Sequence, residues 1–285
     1  MKVLFFLFAG IAAAQTGGYR QQTEDWRAQQ EQQLKAPDNW LSVAGLFWLN
    51  PGANTIGTSE KDDVSLPPGS APARLGAVTL TSGRVELRTN EPVKVNGKPV
   101  TSAELHADAS QHPDTVEIGR LKLLLIKRGE RYAIRLKDPE SKMRREFTGR
   151  KWFPVDESWR ITAKFVPYPA PRKMYFDSVV GIKQEMLSPG YVTFTRAGKQ
   201  YRLDPVIEGR RLFFVFRDAT SGKSTYGASR FLYAAMPADG TVVLDFNRAV
   251  NPPCAFTPYA TCPLPPKQNR LALAVTAGEL KYGSH

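Results

Sequence analysis

The chain has 285 residues, of which 42% are hydrophobic, with a net charge of +12 and two cysteines. Its basic residues are scattered in short clusters without interleaved aromatic residues, which argues against a nucleic-acid-binding protein. No stretch after the N-terminus is long and apolar enough for a membrane helix. We therefore expect a globular protein of one or two domains with a solvated basic surface.

The first fourteen residues follow the pattern of a secretory signal peptide. Lys2 supplies the positive start, residues 3–9 form an apolar core, and Ala12-Ala13-Ala14 are the small residues expected before a cleavage site. A buried N-terminal strand is the alternative. The pattern predicts a secreted or periplasmic protein.

Residues 15–39 form a polar segment with one predicted helix. Thr23 has the side chain of an N-cap residue, and Glu24 and Asp25 suit the first helical turn. We expect the helix to run from Thr23 to about Lys35, on the surface, because it is rich in glutamine.

Residues 40–140 alternate short apolar stretches with turn residues, at the spacing of a β-sandwich. Asn96-Gly97 lies between two valine-containing stretches and predicts a tight hairpin. A second hairpin is expected at Thr81-Ser82-Gly83.

This block resembles a forkhead-associated domain over roughly residues 44–138. The resemblance rests on Gly52-x-x-x-Ile56-Gly57, Val95-Asn96-Gly97-x-x-Val100 and Val116-x-Ile118-Gly119. It implies a β-sandwich. Thr58 stands where those domains carry a phosphate-binding arginine, so phosphothreonine binding is not implied.

A charged segment around residues 142–150 predicts the junction to a second β-rich block, residues 151–285. Residues 159–165 alternate apolar and polar side chains, as a half-buried strand does. Residues 212–216 are apolar throughout, which predicts a central strand covered on both faces. The predicted fold is therefore mainly β, with two β-rich blocks and one N-terminal helix. The second block is expected to be an antiparallel sandwich or barrel.

Two loops in the second block, residues 218–230 and 245–270, concentrate polar side chains. If both loops leave the same end of the sheet, their side chains could form one ligand site; a polar plug that satisfies itself is the alternative. The predicted ligand-binding residues are Asp245, Asn247, Arg248, Asn251, Arg230, Tyr226 and Asn269.

Most catalytic patterns are missing from the sequence. Of the three histidines, His106 and His112 lie in a polar loop of the first block and His285 is the last residue, which argues against Ser–His or Cys–His catalysis. Gly222-Lys223-Ser224 lacks the preceding glycine of a phosphate-binding loop, because Arg217 occupies that position. Asp245 and Asp218 remain as candidates for a carboxylate-dependent hydrolase.

The two cysteines, Cys254 and Cys262, are eight positions apart in a proline-rich run. In an oxidising compartment a disulfide is the first expectation, two free buried thiols the second, and a metal site the last, because histidine is scarce. We expect neither a metal nor a cofactor.

Several motifs across the mature chain resemble the bacterial and archaeal "domain of unknown function 1684" family. They include Gly45-Leu46-Phe47-Trp48-Leu49, Trp152-Phe153-Pro154-Val155-Asp156, Leu244-Asp245-Phe246-Asn247-Arg248-Ala249 and Asn251-Pro252-Pro253-Cys254-Ala255-Phe256. The resemblance implies a unit of two β-rich parts and no particular reaction. Gln268 departs from the family pattern, in which a glutamate precedes the Asn-Arg-Leu triplet.

The leading hypothesis for function is a binding protein for a small molecule or glycan. The alternatives are the carboxylate-dependent hydrolase and a structural or protein-interaction module of the cell envelope. The sequence leaves the oligomeric state open.

Overall fold

The computed structural model describes residues 18–283. The protein is mainly β, with 47% strand and 13% helix, which confirms the predicted fold class. The predicted signal peptide lies outside the described residues. Among the described residues, no helix combines the length and the apolar character needed to cross a membrane.

Helix α1, Tyr19–Leu34, begins four residues before the predicted start. Gly18 occupies the N-cap position, whereas Thr23 lies buried inside the helix, so the prediction of Thr23 as the cap is wrong. Tertiary contacts explain the earlier start. The Tyr19 hydroxyl donates a hydrogen bond to Asp245 Oδ1 at 2.7 Å, which ties the first turn to the C-terminal block.

Nine strands form one sheet in the N-terminal block, in the order β1-β9-β8-β7-β5-β4-β2-β3, with β6 paired to β5. This sheet closes over a single apolar core. The strands are β1 Val43–Trp48, β2 Gly52–Gly57, β3 Val64–Ser65, β4 Gly76–Thr81, β5 Arg84–Val95, β6 Lys98–Leu105, β7 Thr115–Ile118, β8 Leu121–Arg128 and β9 Arg131–Lys137.

The two predicted hairpins of this sheet are confirmed. Asn96 and Gly97 both have positive φ, 51° and 79°, as the tight turn between β5 and β6 requires. Ser82 and Gly83 connect β4 to β5 in the same way, with φ of 49° and 81°. The resemblance to a forkhead-associated domain stays a prediction.

A single helical turn, α2 (Lys142–Arg145), lies in the charged segment that follows. The C-terminal block then contains two antiparallel sheets, β12-β11-β10-β16 and β13-β14-β15. Their strands are β10 Arg160–Phe176, β11 Gln184–Arg196, β12 Lys199–Leu203, β13 Val206–Glu208, β14 Arg211–Phe216, β15 Arg230–Ala235 and β16 Thr241–Asp245. The predicted domain boundaries stay predictions.

Strand β14 is buried on both faces, as its continuous apolar run predicts. Leu212, Phe214 and Phe216 pack into the core between the two sheets. Phe213 and Val215 point the other way, into a second cluster that includes Cys262. Strand β14 therefore separates two apolar layers of the C-terminal block.

The chain from residue 246 to residue 283 has no regular strand and covers the ends of the C-terminal sheets, with three short 3-10 turns. We call this stretch the C-terminal cover. It also contacts the N-terminal sheet, because Thr257 Oγ1 donates to the Val43 carbonyl at 3.0 Å and Thr261 Oγ1 accepts from Arg128 Nε at 3.1 Å. The cover thus joins both blocks and brings residues of distant origin together.

Candidate functional site

A cavity of about 490 Å³ opens between helix α1 and the C-terminal block. We call it the α1 cavity. Six parts of the chain contribute to its wall: α1, the turn after it, the segment before β10, strand β14, strand β15 and the C-terminal cover. The lining residues are Trp26, Gln30, Gln33, Leu34, Asn39, Trp40, Arg150, Arg211, Phe231, Tyr233, Arg248, Val250, Asn251, Pro253 and Phe256.

The charged residues of the α1 cavity are all arginines, because Arg150, Arg211 and Arg248 line it without an aspartate or glutamate. Each guanidinium lies over an aromatic ring: Arg211 over Tyr233 at 3.8 Å, Arg248 over Trp26 at 5.4 Å and Arg150 over Trp152 at 5.0 Å. Aromatic faces attract cations and hold their planes in place. The wall therefore combines fixed positive charge with flat apolar surface.

Arg150 differs from the other two arginines because its charge is already neutralised. Its guanidinium forms two hydrogen bonds with Glu279, Nε to Oε1 at 2.9 Å and Nη2 to Oε2 at 2.5 Å. The two side chains are only 5% and 1% exposed. Burial raises the pKa of the Glu279 carboxyl, and the contact with Arg150 opposes that rise. This pair supports the cavity wall and leaves little charge for a ligand.

Arg211 and Arg248 are the cations that solvent and a ligand can reach, with side chains 51% and 37% exposed. Their nearest carboxylate oxygens lie at 3.5 Å (Glu208) and 3.3 Å (Asp245). Arg248 Nε forms no hydrogen bond among the described residues, so its contact with Asp245 is electrostatic only. Both guanidinium groups can therefore still bind an anion.

Asn251 adds a polar group to the same wall. Its backbone N–H donates to Glu279 Oε2 at 2.7 Å, and its Nδ2 donates to the Leu280 carbonyl at 2.8 Å. Its Oδ1 has no hydrogen-bond partner in the described part of the chain, although the residue is only 4% exposed. Buried acceptors normally have a donor. Asn251 thus carries an acceptor whose partner is still missing.

The other predicted site residues lie elsewhere, and two of them belong to a polar cluster beneath α1. Asp245 Oδ1 accepts from the Tyr19 hydroxyl, and Asn247 Nδ2 donates to the same hydroxyl at 2.9 Å. Asn247 also bonds the backbone of Asp156 with both ends of its amide, at 3.0 and 2.8 Å. Residues 246–248 form a 3-10 turn, and the Asp245 side chain caps it by accepting from the Asn247 N–H.

Asp218 and Arg230 form a buried ion pair in the interior, with Arg230 Nη1 donating to Asp218 Oδ2 at 2.8 Å. Arg230 Nη1 and Nη2 also donate to the carbonyls of Val275 and Ala277. Asp218 Oδ1 accepts from the Thr220 amide and hydroxyl at 2.7 and 2.5 Å. Neither side chain lines the α1 cavity.

Tyr226 and Asn269 likewise bond the protein itself. The Tyr226 hydroxyl donates to the Cys254 carbonyl at 3.2 Å, and burial raises its pKa. Asn269 is fully buried and bonds the backbone of Asp204 and the Val215 carbonyl at 2.7 to 2.9 Å. Of the predicted ligand-binding residues, Arg248 and Asn251 therefore line the cavity, and the rest do not.

Both cysteines are free thiols in this structure. The Cys254 N–H donates to Cys262 Sγ at 3.3 Å, and the two thiols interact closely enough to shift each other's pKa. The structure thus contains two free thiols, the second of the three expected states, rather than the disulfide. The pair lies close enough that bridging stays a prediction for an oxidising compartment. Among residues 18–283, no group of three or more His, Cys, Asp or Glu side chains could hold a metal ion.

Sequence reasoning missed most of the cavity wall. The arginines at 150 and 211 occur in basic clusters, which the sequence alone attributes to a solvated surface. Trp26 and Trp40 fall in or near the predicted helix, where they suggest packing. Tryptophan and arginine are residue types common at binding surfaces, and this is the one signal that the sequence offers. No local sequence pattern shows that these residues come together in the fold.

Comparison with known proteins supports the family assignment and adds no activity. Residues 145–280 match the model of a family described as "Protein of unknown function (DUF1684)". The solution NMR structure of an uncharacterized protein from Haloarcula marismortui is 31% identical, covering 48% of this chain and 78% of that one, with a TM-score of 0.41. The comparison with curated proteins gives no match.

Proposed function

We propose that this chain, which belongs to the DUF1684 family through residues 145–280, binds a small anionic molecule with a flat apolar part in the α1 cavity. The observation that carries the proposal is the pairing of two accessible guanidinium groups, Arg211 and Arg248, with aromatic rings in a wall without a carboxylate. Guanidinium groups bind carboxylate, sulfate and phosphate through charge-assisted hydrogen bonds.

The polar groups around the arginines narrow the ligand class further. Gln30, Gln33 and Asn39 add amides to the lining, of which Gln30 donates to Gln33 and Asn39 Oδ1 accepts from the Trp40 N–H. Asn251 Oδ1 is an acceptor without a donor among the described residues. A ligand with an N–H or O–H group beside its acidic group would complement this wall. An acidic sugar fits that description as well as an aromatic acid does, whereas a neutral glycan would leave both guanidinium charges unpaired.

A cavity of about 490 Å³ lies within the range of small-molecule sites, which is roughly 300–1,000 Å³. The alternative hydrolase requires two carboxylates at one cleft. The carboxylates of Asp218 and Asp245 instead accept hydrogen bonds from other residues of the protein. The geometry therefore favours ligand binding over carboxylate catalysis.

The test uses anilinonaphthalene sulfonate, a fluorescent aromatic anion, and a neutral naphthalene sulfonamide as its uncharged counterpart. We expect the anion to bind more tightly than the neutral compound. Arg248→Gln and Arg211→Gln should each weaken anion binding by about tenfold, since a hydrogen bond to a charged group contributes roughly 1.5–3 kcal/mol. Fluorescence titration and calorimetry measure both.

Arg210→Gln is the matched control. Arg210 is exposed, carries the same charge and precedes Arg211 in the chain, but it does not line the α1 cavity. Equal losses in the Arg210 and Arg211 variants would mean that overall charge, not the cavity, attracts the probe. Equal affinity for the charged and neutral probes would contradict an anion site.

We also propose that the protein is secreted or periplasmic. The support is the pattern of Lys2, an apolar core and Ala12-Ala13-Ala14. Fractionation of cells that produce the full chain tests it, together with the N-terminal sequence of the mature protein. Retention of an intact N-terminus in the cytoplasm would contradict the proposal.

A further inference from the structure

A second cationic cavity lies on the other side of the turn that follows α1. It has a volume of about 310 Å³ and lies against strands β8 and β9 of the N-terminal sheet. Its lining residues are Asp38, Asn39, Trp40, Val43, Leu124, Arg135 and Lys137. Asn39 and Trp40 line the α1 cavity as well, so the two cavities are neighbours. We call this one the β9 cavity.

Arg135 is the unusual residue of this cavity. It is only 7% exposed, yet its Nε and Nη2 atoms have no hydrogen-bond partner in the described part of the chain. Its guanidinium lies over the Trp40 ring at 5.0 Å. A buried cation normally has a carboxylate or several carbonyl groups as partners, and Arg135 has neither among the described residues.

The charged groups that face Arg135 do not compensate it. Asp108 is the carboxylate whose charge acts on Arg135, but it already binds Arg128, with Nη1 to Oδ2 at 2.8 Å. Burial, followed by repulsion from Arg128, lowers the pKa of Arg135 to about 10. Cys262 is the remaining ionisable neighbour, and its contact with Cys254, followed by burial, raises the pKa of that thiol. Arg135 is therefore a charged, uncompensated group at neutral pH.

The rest of the β9 cavity is also short of negative charge. Lys137 Nζ donates to the backbone carbonyl of Asp38 at 2.6 Å, while the Asp38 carboxylate binds Lys122 at 2.9 Å. The single carboxylate of the lining thus has its own cation. Burial lowers the pKa of Lys137, as expected for a cation without a bound counter-ion.

We infer that the β9 cavity is an oxyanion site, in which Arg135 and Lys137 bind a phosphate, sulfate or carboxylate group against the Trp40 ring. The chemistry is the same whether the anion is free or is the acidic group of a larger molecule that reaches from the α1 cavity. A bound oxyanion would supply both the missing charge and the missing acceptors of Arg135. This site does not depend on the function proposed for the α1 cavity.

The decisive variant is Arg135→Met, which keeps much of the volume and removes the charge. Without phosphate, we expect its melting temperature to exceed that of the wild type, because an unpaired buried charge is unfavourable. Addition of inorganic phosphate at constant ionic strength should raise the melting temperature of the wild type more than that of the variant. The comparison with the variant is needed because phosphate is excluded from protein surfaces and so stabilises folded proteins in general. Only the additional increase in the wild type reports binding at Arg135.

Arg131→Met is the matched control. Arg131 lies on the same strand, and its guanidinium lies over Trp48 at 4.1 Å, but it is exposed and outside the β9 cavity. This variant should respond to phosphate as the wild type does. Should Arg135→Met fail to fold, Lys137→Gln tests the same site, and its dissociation constant for phosphate should increase by about tenfold.

Two further arms separate a free anion from a bridging ligand and from the α1 cavity. The double variant Arg211→Gln/Arg248→Gln should keep the wild-type increase in melting temperature on addition of phosphate, because Arg135 is unchanged. Naphthalene disulfonate, which has two acidic groups, should lose affinity both in Arg135→Met and in Arg248→Gln if one ligand spans both cavities. If neither phosphate nor the disulfonate distinguishes Arg135→Met from Arg131→Met, the oxyanion site is refuted, whatever the outcome at the α1 cavity.

Discussion

Arg230 of strand β15 and Asp218 of the preceding loop form an ion pair in the interior of the protein. Arg230 and Asp218 are 0% and 7% exposed, respectively. Burial lowers the pKa of Arg230, whereas Asp218 opposes that change. A charge in such a place is stable only with its partner present, so the pair acts as one unit.

The variant Asp218→Asn should therefore destabilise the fold by about 3–5 kcal/mol, because it leaves the Arg230 charge buried without a partner. Arg230→Met combined with Asp218→Asn should cost less than the sum of the two single changes. Urea unfolding of the four proteins of this cycle measures the coupling. Strictly additive losses would mean that the two side chains do not stabilise each other.

Tyr19 provides a prediction for alkaline pH. Burial, followed by the hydrogen bond to Asp245, raises its pKa from 10.0 to about 12. Because the pKa of Tyr19 is higher in the folded state than in the unfolded state, the protonated hydroxyl contributes to stability. This contribution is complete below pH 10, where Tyr19 is protonated in both states. That contribution is lost between pH 10 and about 12, because the unfolded chain releases its proton first.

Stability in that pH range should consequently fall less steeply in Tyr19→Phe than in the wild type. Chemical unfolding at several pH values between 10 and about 12 measures the two slopes. Because other tyrosines also titrate there, only the difference between the two proteins is informative. Identical slopes in the two proteins would mean that folding does not raise the pKa of Tyr19.

At the scale of elements, helix α1 depends on the C-terminal block for its stability. It lacks a side-chain cap and has no acidic residue in the first turn. Arg27 holds it in place by donating to the carbonyls of Phe153 at 3.1 Å and Asn247 at 3.2 Å, beneath the Trp152 ring at 4.8 Å. The same helix forms one wall of the α1 cavity, so its docking and ligand binding are linked.

Arg27→Met should loosen α1 without unfolding the sheets. We expect a loss of about 2–3 kcal/mol in the docking of the helix, since two charge-assisted hydrogen bonds disappear. Hydrogen exchange in residues 19–34 should become faster, and the affinity for anilinonaphthalene sulfonate should fall. Arg20→Met, at an exposed position of the same helix, is the control and should change neither quantity.

The C-terminal cover carries a prediction about redox state. The Cys262 thiol lowers the pKa of Cys254 by hydrogen bonding, while the pKa of Cys262 is raised by the same contact and by burial. Cys254 is therefore the thiol that ionises first. Bridging would close a loop of eight residues along the chain and add about 2–3 kcal/mol by the loop-entropy model.

Mild oxidation should thus remove both free thiols, reduce the mass by two hydrogens and raise the melting temperature. Cys254→Ser should abolish all three effects. A wild-type protein that keeps two titratable thiols after oxidation would show that the cover holds the sulfur atoms too rigidly to bridge.

The net charge of +12 acts at the scale of the whole molecule. A strongly basic protein attracts anions from a distance and increases their rate of association, and salt screens this attraction. The association rate of anilinonaphthalene sulfonate should therefore fall as salt increases, whereas the neutral sulfonamide should associate at a constant rate. Stopped-flow fluorescence measures both. A salt-independent rate for the anion would restrict the electrostatic effect to contacts inside the cavity.

Much of the fold could be predicted from the sequence because its signals are local. Asn96-Gly97 and Ser82-Gly83 are turn residues with the backbone freedom that a hairpin requires. The apolar run of β14 indicates burial on both faces before any neighbour is known. The helix was also predictable, but its first turn was not, because Tyr19 gains its partner, Asp245, from a strand end 226 positions away.

The candidate site could be predicted only in small part. The concentration of polar side chains in two loops predicts Arg248 and Asn251 as site residues, and it equally predicts Arg230 and Asn269, which are fully buried. A polar side chain in a loop faces either a ligand or the protein, and the local sequence is the same in both cases. The choice depends on partners from distant parts of the chain.

The amino-acid sequence alone predicts that this protein is mainly β, where its hairpins turn and that it carries excess positive charge. Periodicity, turn residues and composition are enough for these properties. The folded chain is needed to tell which arginines are neutralised, as Arg150 and Arg230 are, from those without an acidic hydrogen-bond partner, such as Arg135 and Arg248. Charge compensation depends on distances of a few ångströms between residues that folding brings together.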